Sequence, residues 1–288
     1  MNSKQLKWVY LITLALIWGS SFILIKKGLL GLTPMQVGSL RIIFASLFLL
    51  LIGFKSLAKI PHFQWKYIAL TAMLGTFFPA FLFSLAQTQL DSSVSAILNS
   101  LTPLNTMILG GIAFGLSFKR AQIFGVFIGL IGTFMLIVNG ALNHPEQNYY
   151  YAILIIIASI CYATNVNLIK KYLSDLSPLS ITTGNFLVLL LPALFVLFYS
   201  GFYEVIAVES VQHSVLYIII LGVLGTGIAN LIFFKTIQIS SPVFATSVTY
   251  LIPIVAFGWG LLDNEMLSPI QFLGAFIILF GVYLSSRK

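Results

Sequence analysis

Ser92, Ser95, Asn99, Thr102 and Thr106 recur at intervals of three, four, three and four residues in an otherwise apolar stretch. That spacing puts their side chains on one helix face. Such a face offers neutral hydrogen-bonding groups, which suit either a small polar solute or a neighbouring helix. Pro103 lies beside the stripe and loosens the backbone there. Comparable groups recur elsewhere: Thr246, Thr249 and Tyr250 ahead of Pro253; Tyr162, Thr164, Asn165 and Asn167; Thr226, Asn230 and Phe234; and Thr76, Phe78 and Gln87. Together with Trp18 and Ser21, they suit a cavity for a small amphipathic molecule, with a few polar groups set in apolar walls.

Two charges stand close to these groups. Lys235 follows Phe234 and lies near Asn230. It either snorkels to a membrane interface or acts as a counter-ion for a substrate carboxylate or phosphate. Arg41 lies inside an apolar stretch, seven residues past Pro34. It reads first as structural, anchoring a gate or neutralising carbonyls at a helix end. No Asp, Glu or His lies deep in an apolar stretch, and His62, His144 and His213 all fall outside them. Facing carboxylates, a Ser–His pair and a His/Glu metal cluster are therefore missing at membrane depth. The expectation is no enzyme, no metal site, no cofactor and no buried carboxylate or His proton relay.

The elements that must position these residues are ten apolar runs, at 8–25, 34–54, 65–85, 92–116, 122–138, 149–169, 178–201, 215–234, 242–262 and 269–284. A bilayer core needs about 20 apolar residues to be crossed as a helix. The runs are continuous rather than alternating, which excludes barrel strands. The chain is 59% hydrophobic and 8% charged, too apolar for a water-soluble fold of 288 residues. Its single cysteine, Cys161, falls in the sixth run, is read as a packing residue, and allows no disulfide framework. The first run is too long for a secretory h-region and is followed by Lys26 and Lys27, so it is expected to be retained.

The net charge of +8 is not a nucleic-acid footprint, because no basic stripe with interleaved aromatics lies outside the runs. It is sorted by gap instead. Twelve of the 15 Lys and Arg residues lie at the termini or in even-numbered gaps: Lys4, Lys7, Lys55, Lys59, Lys66, Lys119, Arg120, Lys170, Lys171, Lys235, Arg287 and Lys288. Odd gaps hold only Lys26 and Lys27, whereas Asp91, Glu146, Glu204, Glu209, Asp263 and Glu265 fall in or beside them. The positive-inside rule then predicts both termini in the cytoplasm and an even number of spans.

The halves repeat. Ile25-Lys26-Lys27 with Thr33-Pro34 returns 144 residues later as Ile169-Lys170-Lys171 with Ser177-Pro178. Leu74-Gly75-Thr76 returns 150 later as Leu224-Gly225-Thr226, and Pro103 as Pro253. Gly125 and Gly132 return 149 later as Gly274 and Gly281. On this register Ser21 pairs with Asn165, and Asn99 with Thr249. Five spans per half, an odd number, make the second half inverted relative to the first, the signature of secondary transporters that work by alternating access.

With these residues in view, the chain resembles the EamA-type branch of the drug/metabolite transporter superfamily across its whole length. The resemblance rests on Trp18-Gly19-Ser20-Ser21-Phe22, Pro34 with Arg41, Leu101-Thr102-Pro103, Tyr250-Leu251-Ile252-Pro253, Glu265, and Gly274 to Gly281. It implies two inverted five-helix repeats, here 1–140 and 141–288. It further implies a cavity lined mainly by spans one, three, four, six, eight and nine, with five and ten as outer scaffold. One departure is that Gly115-Leu116-Ser117-Phe118 carries no acid where the family often has one after the fourth span.

The expected protein is therefore all-α, with ten transmembrane helices and cytoplasmic termini, multi-pass in a bacterial cytoplasmic membrane. Its expected activity is export of small metabolites, amino acids or related compounds. The expected path residues are Trp18, Ser21, Phe78, Ser95, Asn99, Thr102, Tyr162, Asn165, Asn230, Phe234, Lys235, Thr249 and Tyr250. Expected partners are the metabolite and membrane lipid, with no nucleic acid and no obligate protein. A lipid scramblase or a non-transporting membrane scaffold is the alternative on the same features.

Overall fold

The computed structural model describes residues 3–90, 92–143, 148–262 and 269–285. Asp91, His144, Glu146, Asp263, Glu265, Arg287 and Lys288, which enter the charge and motif readings, lie outside the described residues. All regular structure among the described residues is helical. Among the described residues, six helices are long and apolar enough to cross a bilayer: Gln5–Gly28, Pro34–Lys59, His62–Ala86, Ala152–Tyr172, Pro178–Tyr199 and Glu209–Ile239. The other apolar runs carry Ser92–Asn99 with Thr102–Phe114, Arg120–Asn143, Pro242–Thr246 with Val248–Leu262, and Pro269–Ser285. Outward faces are strongly apolar, with Leu51, Ile112, Phe124, Leu191 and Phe195 all exposed. A surface of that kind is stable against lipid tails, not water. Cys161 is only partly buried rather than packed in the core.

The helix starts follow local rules. Thr33 caps the helix that begins at Pro34 through a capping box with Gln36, and Ser177 caps the helix at Pro178 by accepting from the Ser180 amide at 3.0 Å. In both, Pro occupies the first turn, where its missing N–H removes no helical bond. The repeated Thr/Ser-Pro pair of the sequence is thus a helix-start signal, and Ser241-Pro242 uses it again.

The fourth and ninth runs are not continuous helices. The fourth breaks between Asn99 and Thr102, and the ninth at Ser247. The single polar face expected over 92–116 is divided accordingly. Pro103 stands in the first turn after the break in the fourth run, and Pro253 lies inside Val248–Leu262, beyond the break in the ninth; each deprives the carbonyl four residues earlier of its donor. Both carbonyls find hydroxyls instead: Thr102 Oγ1 donates to Asn99 O at 2.7 Å, and Ser100 Oγ donates to Thr249 O at 2.9 Å. The second bond joins the fourth segment to the ninth.

A second irregularity falls on the repeated Leu-Gly-Thr motif. Met73–Phe77 and Leu221–Ile228 are wide π-helical turns inside their helices. Thr226 Oγ1 donates to Leu221 O at 3.1 Å, and Trp18 Nε1 donates to Gly225 O at 2.9 Å. Such turns are frequent at functional sites, because they leave carbonyls open to other donors.

Packing sets the centre apart from the scaffold. The second segment lies along the seventh, and the fifth along the tenth. The fifth and tenth approach so closely that a Cβ on Gly281 would meet the Gly129 backbone nitrogen at 2.6 Å. Small residues permit that approach where lipid offers no hydrophobic drive. Gly281→Leu should therefore lower stability by about 1–3 kcal/mol, read as a lower melting temperature and folded yield in detergent. Gly111→Leu, whose added Cβ meets nothing within 4 Å, should leave both unchanged.

Candidate functional site

The irregular turns surround a central cavity of about 810 Å³, counting the open space that adjoins it. Trp18, Ser21, Phe22 and Ile25 enter from the first segment, and Arg41 from the second. Gly75, Thr76, Ala80 and Phe83 come from the third, Asn99 and Thr102 from the fourth, and Tyr162 and Asn165 from the sixth. Gly225, Thr226, Asn230 and Phe233 complete it from the eighth, with Thr246, Thr249 and Ile252 from the ninth. The walls are thus aromatic and aliphatic with isolated amides, hydroxyls and one guanidinium, the composition of a small-molecule site.

Eight expected path residues meet at this cavity: Trp18, Ser21, Asn99, Thr102, Tyr162, Asn165, Asn230 and Thr249. Five lie elsewhere. Phe78 is 47% exposed on an outer face, and Lys235 is also exposed. Phe234 is buried in the apolar cluster that includes Leu11, Leu14, Ile169, Ile237 and Phe244. Tyr250 is fully buried against Gly129, its hydroxyl donating to Val126 O at 3.3 Å. Ser95 is buried with no hydrogen-bond partner for its Oγ among the described residues. For Lys235 the physical reason is helix phase: Asn230 and Phe233 face the cavity, and Lys235 is turned about 140° and 200° from them around the helix, whereas Phe234 is held by the apolar cluster it packs into.

Sequence reasoning did not place Phe22, Ile25, Ala80, Phe83, Phe233 or Ile252 here, whereas Thr246 was among the polar groups assigned to a cavity. The aromatic residues carry no distinguishing signal in a chain with 25 phenylalanines. Arg41 was read as structural, yet it lines the cavity. A lone charge at membrane depth was the available signal.

Contacts across the cavity come in related pairs. A Cβ on Gly75 would meet the Asn165 amide at 2.6 Å, and a Cβ on Gly225 would meet Ser21 Oγ at 2.7 Å. Gly75 and Gly225 occupy equivalent places in the two Leu-Gly-Thr motifs, and Asn165 and Ser21 match on the internal register. In each case glycine lets a polar side chain rest on a π-helical turn.

Contacts tie the segments together towards both ends of the bundle. At the end rich in lysine, Trp8 meets Phe244 edge-on at 5.4 Å, with Lys7 Nζ 4.5 Å from that ring's centre. Nearby, Lys170 Nζ donates to Ile237 O at 3.2 Å and Ser240 O at 3.1 Å, the carbonyl end of the eighth segment. At the opposite end Phe22 meets Phe83 edge-on at 5.9 Å, and Trp259 Nε1 donates to Ser20 Oγ at 2.8 Å.

An all-helical bundle with apolar outer faces around a polar and aromatic cavity suits a membrane transporter. Two segments, residues 6–138 and 150–287, match the EamA-like transporter family, and the chain belongs to that family. It is 28% identical over 293 residues to the "Uncharacterized inner membrane transporter YedA" of Escherichia coli, covering 99% of this chain and 92% of that one. It is 24% identical over 294 residues to the "Probable amino-acid metabolite efflux pump" of Salmonella typhimurium, covering 93% and 91%. A solved structure described as "Crystal structure of protein" shares the fold, with a TM-score of 0.75, 14% identity and coverage of 96% and 95%.

Trp18 links the cavity wall to the π-helical turn through its indole N–H. Trp18→Phe keeps the ring but leaves the Gly225 carbonyl without this donor. Stability should fall by about 1 kcal/mol, read as a lower melting temperature of the purified protein in detergent.

Proposed function

We propose that this protein is a secondary carrier that exports small metabolites, amino acids or related compounds, across a bacterial cytoplasmic membrane by alternating access. It uses no cofactor. In this reading ten spans form two inverted five-helix units, 1–140 and 141–288, with both termini in the cytoplasm. The observation that carries it is the pairing of Gly75 with Asn165 and of Gly225 with Ser21 around one cavity. Inverted repeats give two near-equivalent packings of the same helices, each opening the central site to one side. The interlocks at both ends of the bundle are the natural candidates for the two gates. Relatives named as an inner membrane transporter and an amino-acid metabolite efflux pump support the location and the cargo class.

The cavity residues Asn99, Asn165, Ser21 and Thr249 are assigned to the substrate path. Asn99→Leu should abolish amino-acid transport in proteoliposomes while leaving folded yield intact. Full transport by that variant would move the amide to a packing role. The same vesicles, loaded with labelled lipid, separate a carrier from a scramblase, and inactivity toward both cargoes would favour a scaffold.

The topology has its own test. In a Cys161→Ser background, Lys59→Cys and Arg120→Cys should resist an impermeant thiol reagent applied to intact cells. Ile206→Cys, exposed in a gap on the other side, should react. Reversal of that pattern would remove the cytoplasmic termini.

A further inference from the structure

Arg41 lines the cavity as a cation whose charge meets no carboxylate among the described residues. Its Nε and Nη2 donate to one atom, Thr226 Oγ1, at 3.2 and 3.0 Å. No other Arg41 side-chain bond, and no carboxylate within 4.0 Å, occurs among the described residues. Thr226 Oγ1 gives its own proton to Leu221 O at 3.1 Å, so its lone pairs face the guanidinium. This hydroxyl holds one edge of the guanidinium fork. The other edge, formed by the two Nη groups, remains available, and it matches a carboxylate bidentately. Holding a charged group at membrane depth with a hydroxyl alone is costly, and such residues characteristically serve substrate or ion pathways.

A second group on the same cavity is independently unsatisfied. Asn165 is 2% exposed, and its Oδ1 has no hydrogen-bond partner among the described residues. Rotation of the amide by half a turn exchanges its oxygen and nitrogen, so either atom can face a bound group. Its oxygen accepts, and suits an ammonium. Arg41 and Asn165 share the cavity with Trp18, Phe22, Phe83 and Phe233, which supply apolar walls for a side chain.

We propose that the cavity recognises α-amino carboxylates, with the carboxylate on the free edge of Arg41 and the ammonium on the Asn165 amide oxygen. The counter-ion role that the sequence offered to Lys235 thereby passes to a residue that lines the cavity. The assignment names the substrate class of the carrier proposed above and rests on that reading for its physiological meaning, but binding is measurable without transport.

The probes are L-leucine, L-methionine, L-phenylalanine and L-threonine, each beside its amide and its N-acetyl derivative. They are titrated against the purified full-length protein in detergent, with tryptophan fluorescence as the readout. Wild type should bind at least one free amino acid with on the order of tenfold preference over its amide, the scale of one charge-assisted hydrogen bond. Arg41→Gln should reduce that preference to within about twofold, and Arg41→Lys should keep part of it. Melting curves check that the Arg41→Gln protein is folded, and Arg41→Lys carries the comparison where it is not. Asn165→Ala should lose discrimination against the N-acetyl derivative while keeping the preference for acid over amide. Equal binding of acid and amide by wild type, an undiminished preference in Arg41→Gln, or no binding of any of the four amino acids would overturn the proposal. Binding with this pattern but no movement across a proteoliposome would sink the carrier reading alone. Transport of cargo lacking a carboxylate would sink the recognition alone.

Discussion

A bilayer core offers the backbone no water, so every carbonyl released from a helix must find a donor inside the protein. The centre of this molecule is organised by that requirement. Pro103 and Pro253 release carbonyls at Asn99 and Thr249, and Thr102 and Ser100 answer them. The π-helical turn at Leu221–Ile228 is answered by Thr226 and by the indole of Trp18. Thr102, Thr226 and Trp18, which repair the backbone, also line the cavity, and Asn99, Asn165 and Asn230 add its amides. Stability and the cavity's polarity thus share these three residues, and the helices are irregular beside the cavity.

The scaffold follows a different rule. The fifth and tenth segments meet through glycines that let backbones touch, and the second lies along the seventh, with Ser46 Oγ donating to Phe186 O and Gln36 Nε2 to Ser200 O. These pairs leave the interior to the remaining segments. Arg41 is the exception that links the two zones. It projects from a scaffold segment into the cavity and fastens to the π-helical turn of the eighth through Thr226. A movement of that turn would therefore move the guanidinium's only fixed anchor among the described residues. A bound anion would in turn bias the packing of the second segment on the eighth, which is the differential contact that a two-state carrier requires.

Composition and run length alone determined that the chain is helical and lipid-facing, because the hydrophobic requirement of a bilayer is set by thickness and is read directly from residue type. The helix starts at Pro34 and Pro178 were equally legible, since a cap followed by proline is a local signal. The motif Leu-Gly-Thr marked two matching places but not their π-helical geometry, which depends on what packs against each glycine. Asn99, Asn165, Ser21 and Thr249 were found from spacing and repeat register. Ser95 and Phe234 were placed at the cavity by helix-face spacing, and Lys235, Tyr250 and Phe78 by neighbourhood in sequence, and the packing of adjoining segments overrides both signals. Only the tertiary structure decided that Arg41 faces inward without a carboxylate partner among the described residues, that Phe22, Phe83 and Phe233 form the walls, and that Asn165 rests on Gly75. Those facts arise from pairs of residues far apart in the chain, and a one-dimensional pattern carries no term for such encounters.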